Sequence, residues 1–584
     1  MALEYIRKAM SEHGVDALLL HRRDPHLSEY LHDRYEHVAY FSGFTGSNAV
    51  LLVFPDSAYL YTDGRYFLQA KKQLLAGIEL GKMGEYPSAL ERIIERGAKK
   101  VGVIMEYVTS QEIERVFGPH EQNFELVYLS EAFIAQLWPE RPQIVAQELV
   151  GMETGRTFKE KLQLVKEAMV PSVGKPGRKR ALEIVLVGDL DEIAWLTNWR
   201  GLDIPMSRLF YAFMWIEAKS EVVKVYTDAV VPKDLVGNIK VLPYAQFYED
   251  ILTIKDQHVG VTSNVNARIE RTLHDNNEAV ELFDEIAQLK AVKSDLEIQG
   301  FKEANIRDAA ALCTLFGRIQ ARIEANDLVG EVEAAEMLLA IKQADSAFIV
   351  PSFETISGYG ENGAIIHYTA ESNDVKIGAD NLYLIDSGSQ YQMGTTDITR
   401  TVCFGQPTAD QKKHYTALLK GHVSIERQRF PSKIPIGHLA PLVRQHVWAL
   451  GLDYAHSTGH GVGFGLNVHE SPPVLETAAK GQTKEGMVVT NEPGIYIEGA
   501  YGIRHENLML VQSDQEAAGF FILKNITPVP IHHDLVDTSM LLPEELAHLN
   551  SWSQEVYKTV SPRLQSSPEG LQWLRYNTQP LATE

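Results

Sequence analysis

The sequence predicts an α/β protein built from three units. Two related α/β domains lead into a larger mixed domain that holds the reactive-looking side chains. Three observations predict this. The first 150 or so residues alternate helix-like and strand-like hydrophobic patterns. The same order of patterns returns in the next stretch. A long amphipathic helix pattern near Ala291 then opens a region of strands, Gly-rich turns and helices. The expected boundaries are 1–155, 156–290 and 291–584, because 584 residues are too many for one core.

Taken in order, MALEYIRKAMSEHG reads as an amphipathic helix leading into an apolar strand, Ala17 to Leu20. Ala49 to Phe54 and Ala58 to Tyr61 read as two more buried strands. His26, His32 and His37 lie between them and read as a polar loop. The segment Leu137 to Pro142, with two prolines, reads as a domain exit. In the second unit FKEKLQLVKEAM is helical, Glu183 to Val187 a strand, and LDEIAWLTNWRG a helix running into a loop. LFYAFMWIE and SEVVKVYTDA follow as strands. This echoes EHVAYFSGFTGS, AVLLVF and SAYLYTDGR of the first unit, so an internal repeat is expected. The turn Lys175 to Arg180 is Gly-, Pro- and cation-rich and reads as a solvated loop, not a nucleic-acid site. In the third unit Ser294 is placed to cap a helix, with Glu297 three residues on completing a capping box. The tail after Ser551 reads as one helix ending in NTQPLATE.

Composition narrows the function. Hydrophobic residues make up 45% and charged residues 23%, which is ordinary for a globular protein. A formal charge of −22 argues against nucleic acid or an anionic membrane as partner. There are two cysteines, Cys313 and Cys403, and no CxxC. That excludes a disulfide framework and a zinc ribbon. The N-terminal segment lacks the charged-then-apolar order of a signal peptide, and no apolar run has membrane-spanning length, so a cytoplasmic protein is expected.

Five residues in the last third suggest a metal site: Asp386 in LYLIDSG, Asp397 in GTTDITRT, His460 in HSTGHGVG, Glu492 in TNEPGIY and Glu506 in GIRHENL. Four carboxylates and one imidazole suit a pair of Mn²⁺, Fe²⁺, Co²⁺ or Zn²⁺ ions, and are too carboxylate-rich for a structural zinc. Asp386 and Asp397 stand 11 residues apart around a Gln-Met-Gly turn, so a hairpin can put both on one face. Asp is disfavoured within strands and buried anions are costly, so a cation gives the pair a reason. Glu492 and Glu506, 14 apart between Val488-Val489 and Leu508 to Val511, repeat that logic. His456, His460 and His469 cluster among four glycines. Those glycines make a helix improbable and match no phosphate-binding motif. They suit a loop whose backbone comes close to a bound ligand.

These residues resemble the pita-bread metallopeptidase family, which includes methionine aminopeptidase, prolidase and aminopeptidase P. The ligand order Asp, Asp, His, Glu, Glu matches in order and context. The likeness is greatest to the long, three-domain, cytosolic aminopeptidase P branch, and it spans almost the whole chain. GFTGSNAVLLVF and YTDGRYFLQA resemble its first domain, LDEIAWLTNWRG its second, and GAIIHY through GIRHENL its third, with WLRYNTQP in the tail. The resemblance implies two creatinase-like N-terminal α/β domains followed by a pita-bread catalytic domain. It implies a Mn²⁺-type dinuclear site with Asp386 terminal on one metal, His460 and Glu492 on the other, and Asp397 and Glu506 bridging. It implies that His367 and His456 bind substrate near proline, that His469 lies near the scissile carbonyl, and that Tyr496 and Arg504 orient Asp386. The Lys175 to Arg180 turn and the Ser457-Thr458 pair depart from the family pattern, and neither removes a ligand.

The implied activity is release of the N-terminal residue from peptides with proline second. A hydroxide bridging the metals attacks the carbonyl before proline, with Glu492 passing a proton to the leaving nitrogen. A homodimer is implied as well, with the first two domains restricting access to the site. A prolidase-like dipeptidase shares the five ligands. A non-enzymatic peptide-binding member of the fold would have lost some of them, and a metal phosphoesterase would want more histidines and cations.

Overall fold

The computed structural model describes residues 2–171, 180–277 and 279–582. The basic turn expected at Lys175 to Arg180 lies, apart from Arg180, outside them. The chain forms two compact units. The first comprises Met1–Gly151, Phe158–Pro205 and Leu209–Ile286; the second comprises Met152–Thr157, Met206–Arg208 and Ala287–Glu584.

The first unit is a repeat in topology as well as in pattern. Its first sheet has strands β1 (Ala17–His21), β2 (Val50–Val53), β3 (Ala58–Thr62), β4 (Glu79–Lys82), β5 (Lys100–Ile104) and β6 (Glu125–Leu129). They run in the order β4-β3-β2-β1-β5-β6. Its second sheet has β7 (Ile184–Val187), β8 (Phe213–Glu217), β9 (Val223–Tyr226), β10 (Ile239–Leu242), β11 (His258–Val261) and β12 (Ala279–Leu282), in the order β10-β9-β8-β7-β11-β12. The parallel and antiparallel pairings also coincide: each sheet's first three strands pair antiparallel, and the outer pairings are parallel. β1, β3, β7 and β11 are buried along their whole length, as the uninterrupted apolar runs require.

One expectation fails here. His26 and His37 are buried, not part of a polar loop. The His26 ring bonds Gly188 O at 2.7 Å and Tyr244 OH at 2.8 Å, so it joins the two repeats from inside. His37 Nε2 donates to His21 O at 2.8 Å. His32 alone caps a turn, through Arg34 N.

The second unit opens on a helix, Asp295–Glu324. Ser294 Oγ accepts from Glu297 N, and the Glu297 carboxylate accepts from Ser294 N, so the expected capping box is present. The apolar face of this helix, including Leu312, Leu315, Phe316 and Ile319, anchors one hydrophobic core cluster of this unit. Gly317 lets the C-terminal helix Pro568–Asn577 lie directly on it, because a Cβ there would sit 2.3 Å from Glu569 O. Phe316 and Trp573 pack across that contact with ring centroids 4.7 Å apart. The tail is therefore two helices, Pro543–Val560 and Pro568–Asn577. Pro562 and Pro568 explain the break, since neither can donate an N–H to a continuing helix.

Two sheets carry the candidate site. β13 (Ile356–Tyr359), β14 (Leu382–Ser387) and β15 (Ile398–Cys403) form one, in that order. The other contains β16 (Phe430–Pro431), β17 (His460–Gly461), β18 (Glu470–Val474), β19 (Val488–Asn491), β20 (Asn507–Ser513) and β21 (Phe520–Asn525), in the order β16-β21-β20-β19-β17-β18. A separate hairpin pairs Gly494–Ile497 with Tyr501–Arg504. Among the described residues no helix is long and apolar enough to cross a membrane.

Candidate metal centre

The two carboxylate pairs form as the hairpin reading expects. β14 and β15 pair antiparallel with Asp386 opposite Thr399 and Ser387 opposite Ile398, so Asp397 enters β15 beside Asp386. A smaller hairpin, Gln390 opposite Thr395 and Tyr391 opposite Gly394, closes the turn between them. β19 and β20 pair with Asn491 opposite Asn507, which sets Glu492 just past one strand and Glu506 just before the other.

His460 reaches the same place on β17, whose Gly461 pairs with Val489. The glycine before it has a specific reason. A Cβ on Gly459 would lie 1.9 Å from Thr490 O, so only glycine lets this loop lie flat on β19. At this position the backbone closely approaches the strand β19. Thr490 Oγ1 then accepts from His460 N at 3.0 Å, fixing where the imidazole starts.

Ligand atoms from three overlapping groups lie within 4.8 Å of one another: Asp386, Asp397 and Glu506; His460, Glu492 and Glu506; and Asp397, His460 and His469. His460 Nδ1 bonds Gly461 O at 2.8 Å, so that nitrogen carries the proton. Nε2 is left facing Asp397 Oδ2 and Glu492 Oε1, each at 3.4 Å. Asp386 Oδ2 accepts from Arg504 Nη2 at 2.7 Å, while its Oδ1 is buried without a hydrogen-bond partner. Glu506 Oε2 accepts from Thr399 Oγ1 at 2.8 Å.

These atoms fit a cation pair. Two carboxylates under 5 Å apart repel by about 3–4 kcal/mol at an effective dielectric constant near 20. Burial, reinforced by the charges of Asp397, Glu492 and Asp386, pushes the Glu506 carboxyl well above its usual range. Burial also raises Asp397, with Asp386 and Glu492 adding to it and His460 opposing. A hard cation held here would remove both penalties and supply the missing partner of Asp386 Oδ1.

The surrounding residues are placed as follows. Arg504 Nη1 donates to Tyr496 OH at 2.9 Å, so Tyr496 reaches Asp386 through Arg504. Tyr496 OH in turn lies 2.9 Å from His456 Nε2, while His456 Nδ1 bonds Ser457 O at 2.8 Å. Both His456 nitrogens are therefore engaged, and burial holds this imidazole below its usual pKa. Ser457 and Thr458 serve locally, Thr458 Oγ1 bonding Tyr454 OH at 2.9 Å. His469 is exposed and packs edge-on against His460, ring centroids 4.4 Å apart. His367 is half-buried in the turn after Gly360–Ala364, a segment that packs on the strand Tyr501–Arg504.

Sequence reasoning missed the groups that hold these residues. Fully buried Arg400 donates to Glu506 O at 2.6 Å and to Asn507 Oδ1 at 2.8 Å. Glu331 accepts from Asn362, Tyr368 OH and Tyr359 N, the residues that bracket His367. Their signal is a charge set within an otherwise apolar face, which a search for ligand motifs passes over.

Comparison with known proteins agrees with this architecture. The profile of Metallopeptidase family M24 matches residues 299–513. Creatinase/Prolidase N-terminal domain profiles match 3–133 and 138–297, and the C-terminal region of peptidase M24 matches 519–581. A probable Xaa-Pro aminopeptidase P of Laccaria bicolor is 34% identical, the match covering 99% of this chain and 93% of that one. The crystal structure of X-prolyl aminopeptidase from Caenorhabditis elegans, described as a cytosolic enzyme with a di-nuclear active site, superposes with a TM-score of 0.91 at 30% identity. That match covers 99% of this chain and 100% of the other. The prolidase of Pyrococcus horikoshii matches with a TM-score of 0.50 at 25% identity, covering 64% of this chain and 99% of its own. By its three-part architecture and its full-length relatives, the chain belongs to metallopeptidase family M24.

Proposed function

We propose that this chain is an Xaa-Pro aminopeptidase, a metalloenzyme that releases the N-terminal residue from peptides with proline second. The observation that carries it is the end-to-end likeness to the nematode X-prolyl aminopeptidase, which leaves neither chain with an unmatched domain. The prolidase likeness stops at 64% of this chain, so the dipeptidase reading ranks second. All five ligand residues are present, which weighs against a non-enzymatic member of the fold.

Asp386, Asp397, His460, Glu492 and Glu506 are proposed to hold two divalent ions, with Asp397 and Glu506 shared between them. Such ions would acidify a water between them and polarise the substrate carbonyl. The chain's own residues do the rest. Arg504 and Thr399 hold the outer oxygens of Asp386 and Glu506, leaving the inner ones aimed at the site. Glu492 Oε1 faces Thr490 and His460, and its Oε2 stands 3.9 Å from His456. We assign Glu492 the transfer of a proton to the leaving proline nitrogen. His469, at the exposed edge, is assigned to the scissile carbonyl and His367 to the proline side of the substrate; His456 is assigned to that side too, where binding substrate through its ring nitrogen would exchange its bond to Tyr496. The bond before proline is a tertiary amide without an N–H, so recognition there rests on shape and on donors to the substrate's carbonyl oxygens.

Incubating Mn²⁺-loaded protein with Arg-Pro-Pro, Arg-Ala-Ala and Gly-Pro tests this. Rapid release of Arg from the first substrate alone is expected. Equal cleavage of the first two sinks the specificity, and preference for Gly-Pro installs the dipeptidase. We further assign Mn²⁺ as the native metal, a homodimeric state and a cytoplasmic location. The hard donor set supports the first, and the relative described as cytosolic supports the last. We keep 1–155, 156–290 and 291–584 as the domain boundaries.

A further inference from the structure

Behind the Asp386–Asp397 hairpin lies a buried ion pair outside the ligand set. Asp308, on the helix Asp295–Glu324, and Lys342, on the helix Glu331–Gln343, approach to 3.4 Å, and neither is appreciably exposed. Their remaining hydrogen bonds converge on the two bends that flank the aspartates. Lys342 Nζ donates to Ser387 Oγ at 2.6 Å, one residue past Asp386. Asp308 accepts from Ser389 Oγ at 2.9 Å, from Tyr391 OH at 2.8 Å, and from Thr396 Oγ1, one residue before Asp397. Thr396 Oγ1 also accepts from Ser389 N at 2.9 Å, which ties the two bends together.

A buried ion pair gains little stability over apolar side chains of the same shape, because desolvation offsets its attraction. This one is better explained by the four hydroxyls it orients. The second ligand group rests on other supports: Thr490 beneath His460, Thr399 beside Glu506, and Arg400 behind the Glu506 backbone.

We propose that Asp308 and Lys342 are positioning residues that set metal affinity through the Asp386–Asp397 hairpin, most strongly at the Asp386–Asp397–Glu506 position and less at the His460–Glu492 side, which shares only Asp397 with that hairpin. This rests on the two-metal reading above. Thr396→Val and Ser387→Ala change no charge and act by loosening the aspartates alone, whereas Asp308→Asn also leaves the Lys342 ammonium unpaired near Asp386 and Asp397. Losses of metal affinity of about 10- to 100-fold follow from removing supports of this kind.

The test strips the full chain with a chelator and follows Mn²⁺ uptake by calorimetry and by equilibrium dialysis at graded free Mn²⁺. The unaltered protein is expected to take two equivalents. Asp308→Asn is expected to weaken one equivalent about tenfold or more and the other by clearly less. Thr396→Val and Ser387→Ala, which remove single hydroxyls with no change of charge and little change of shape, are expected to show the same split at smaller size. Equal weakening of both equivalents, or of neither, overturns the proposal. Fewer than two equivalents in the unaltered protein overturns the two-metal reading itself.

Discussion

At the scale of single residues the site is defined by which oxygen of each carboxylate is already engaged. Arg504 occupies Asp386 Oδ2 and Thr399 occupies Glu506 Oε2, so each acid keeps one oxygen for a cation. His460 is oriented in the same way, through a bond from Nδ1 to Gly461 O. Asp397 is shared between two of the ligand groups. Asp397→Ala is therefore expected to abolish peptide cleavage and to weaken Mn²⁺ binding by more than about 100-fold, beyond what loss of an outer support does. Metal analysis after dialysis measures it, and a variant that retains two equivalents and activity removes Asp397 from the site. That these four carboxylates and His460 gather in one place was legible in the sequence, because carboxylates interrupting apolar strands stand out. The partners that aim them were not. Asp308 and Lys342 reach the site from helices that no local pattern connects to it, and Arg400, though within GTTDITRT, turns to the Glu506 backbone more than a hundred residues on.

At the scale of elements, the hairpins are what the sequence showed best. The Gln392-Met393-Gly394 turn and the strands on either side fix the register, and register places both aspartates. The loop that carries His460 was harder to read. Its glycines signalled close approach, but only the fold shows that Gly459 approaches β19. Gly459→Ala must push Thr490 away, and with it Glu492 two residues on. It is expected to destabilise by about 1–3 kcal/mol and to lower kcat by about 100-fold. Thermal unfolding and steady-state kinetics together check this, and unaltered kinetics would detach the loop from the chemistry. The tail was misread as a single helix, although Pro562 and Pro568 mark the break between its two helices.

At the scale of the whole molecule, the repeat was visible as a succession of patterns and is realised as two sheets of identical strand order. The buried role of His26 was not visible, because burial there depends on the second repeat arriving against the first. Metal and pH act together on the catalytic unit. In the metal-free chain Asp397 and Glu506 are raised above their unfolded values, chiefly by burial. Their contribution to stability is thus fully present below about pH 4 and is lost as pH rises through the raised values. A cation needs both carboxylates ionised, so metal uptake releases protons and strengthens with pH. The gap in Tm between Mn²⁺-loaded and chelated protein is expected to widen from pH 5 to pH 8. A gap that stays constant or narrows contradicts the raised acids.

The pairing of Asp386 with Thr399, and of Thr399 with Glu506 across more than a hundred residues of chain, also bears on how the protein comes to exist in a cell. Contacts between distant segments are made only after the intervening loops have closed. The ligands at Asp386 and Glu506 therefore cannot meet on the ribosome until residues beyond 506 have emerged. A nascent chain stalled before that point lacks Glu506, so neither group that contains it is complete, and the full set of five residues gathers only in the finished sheet.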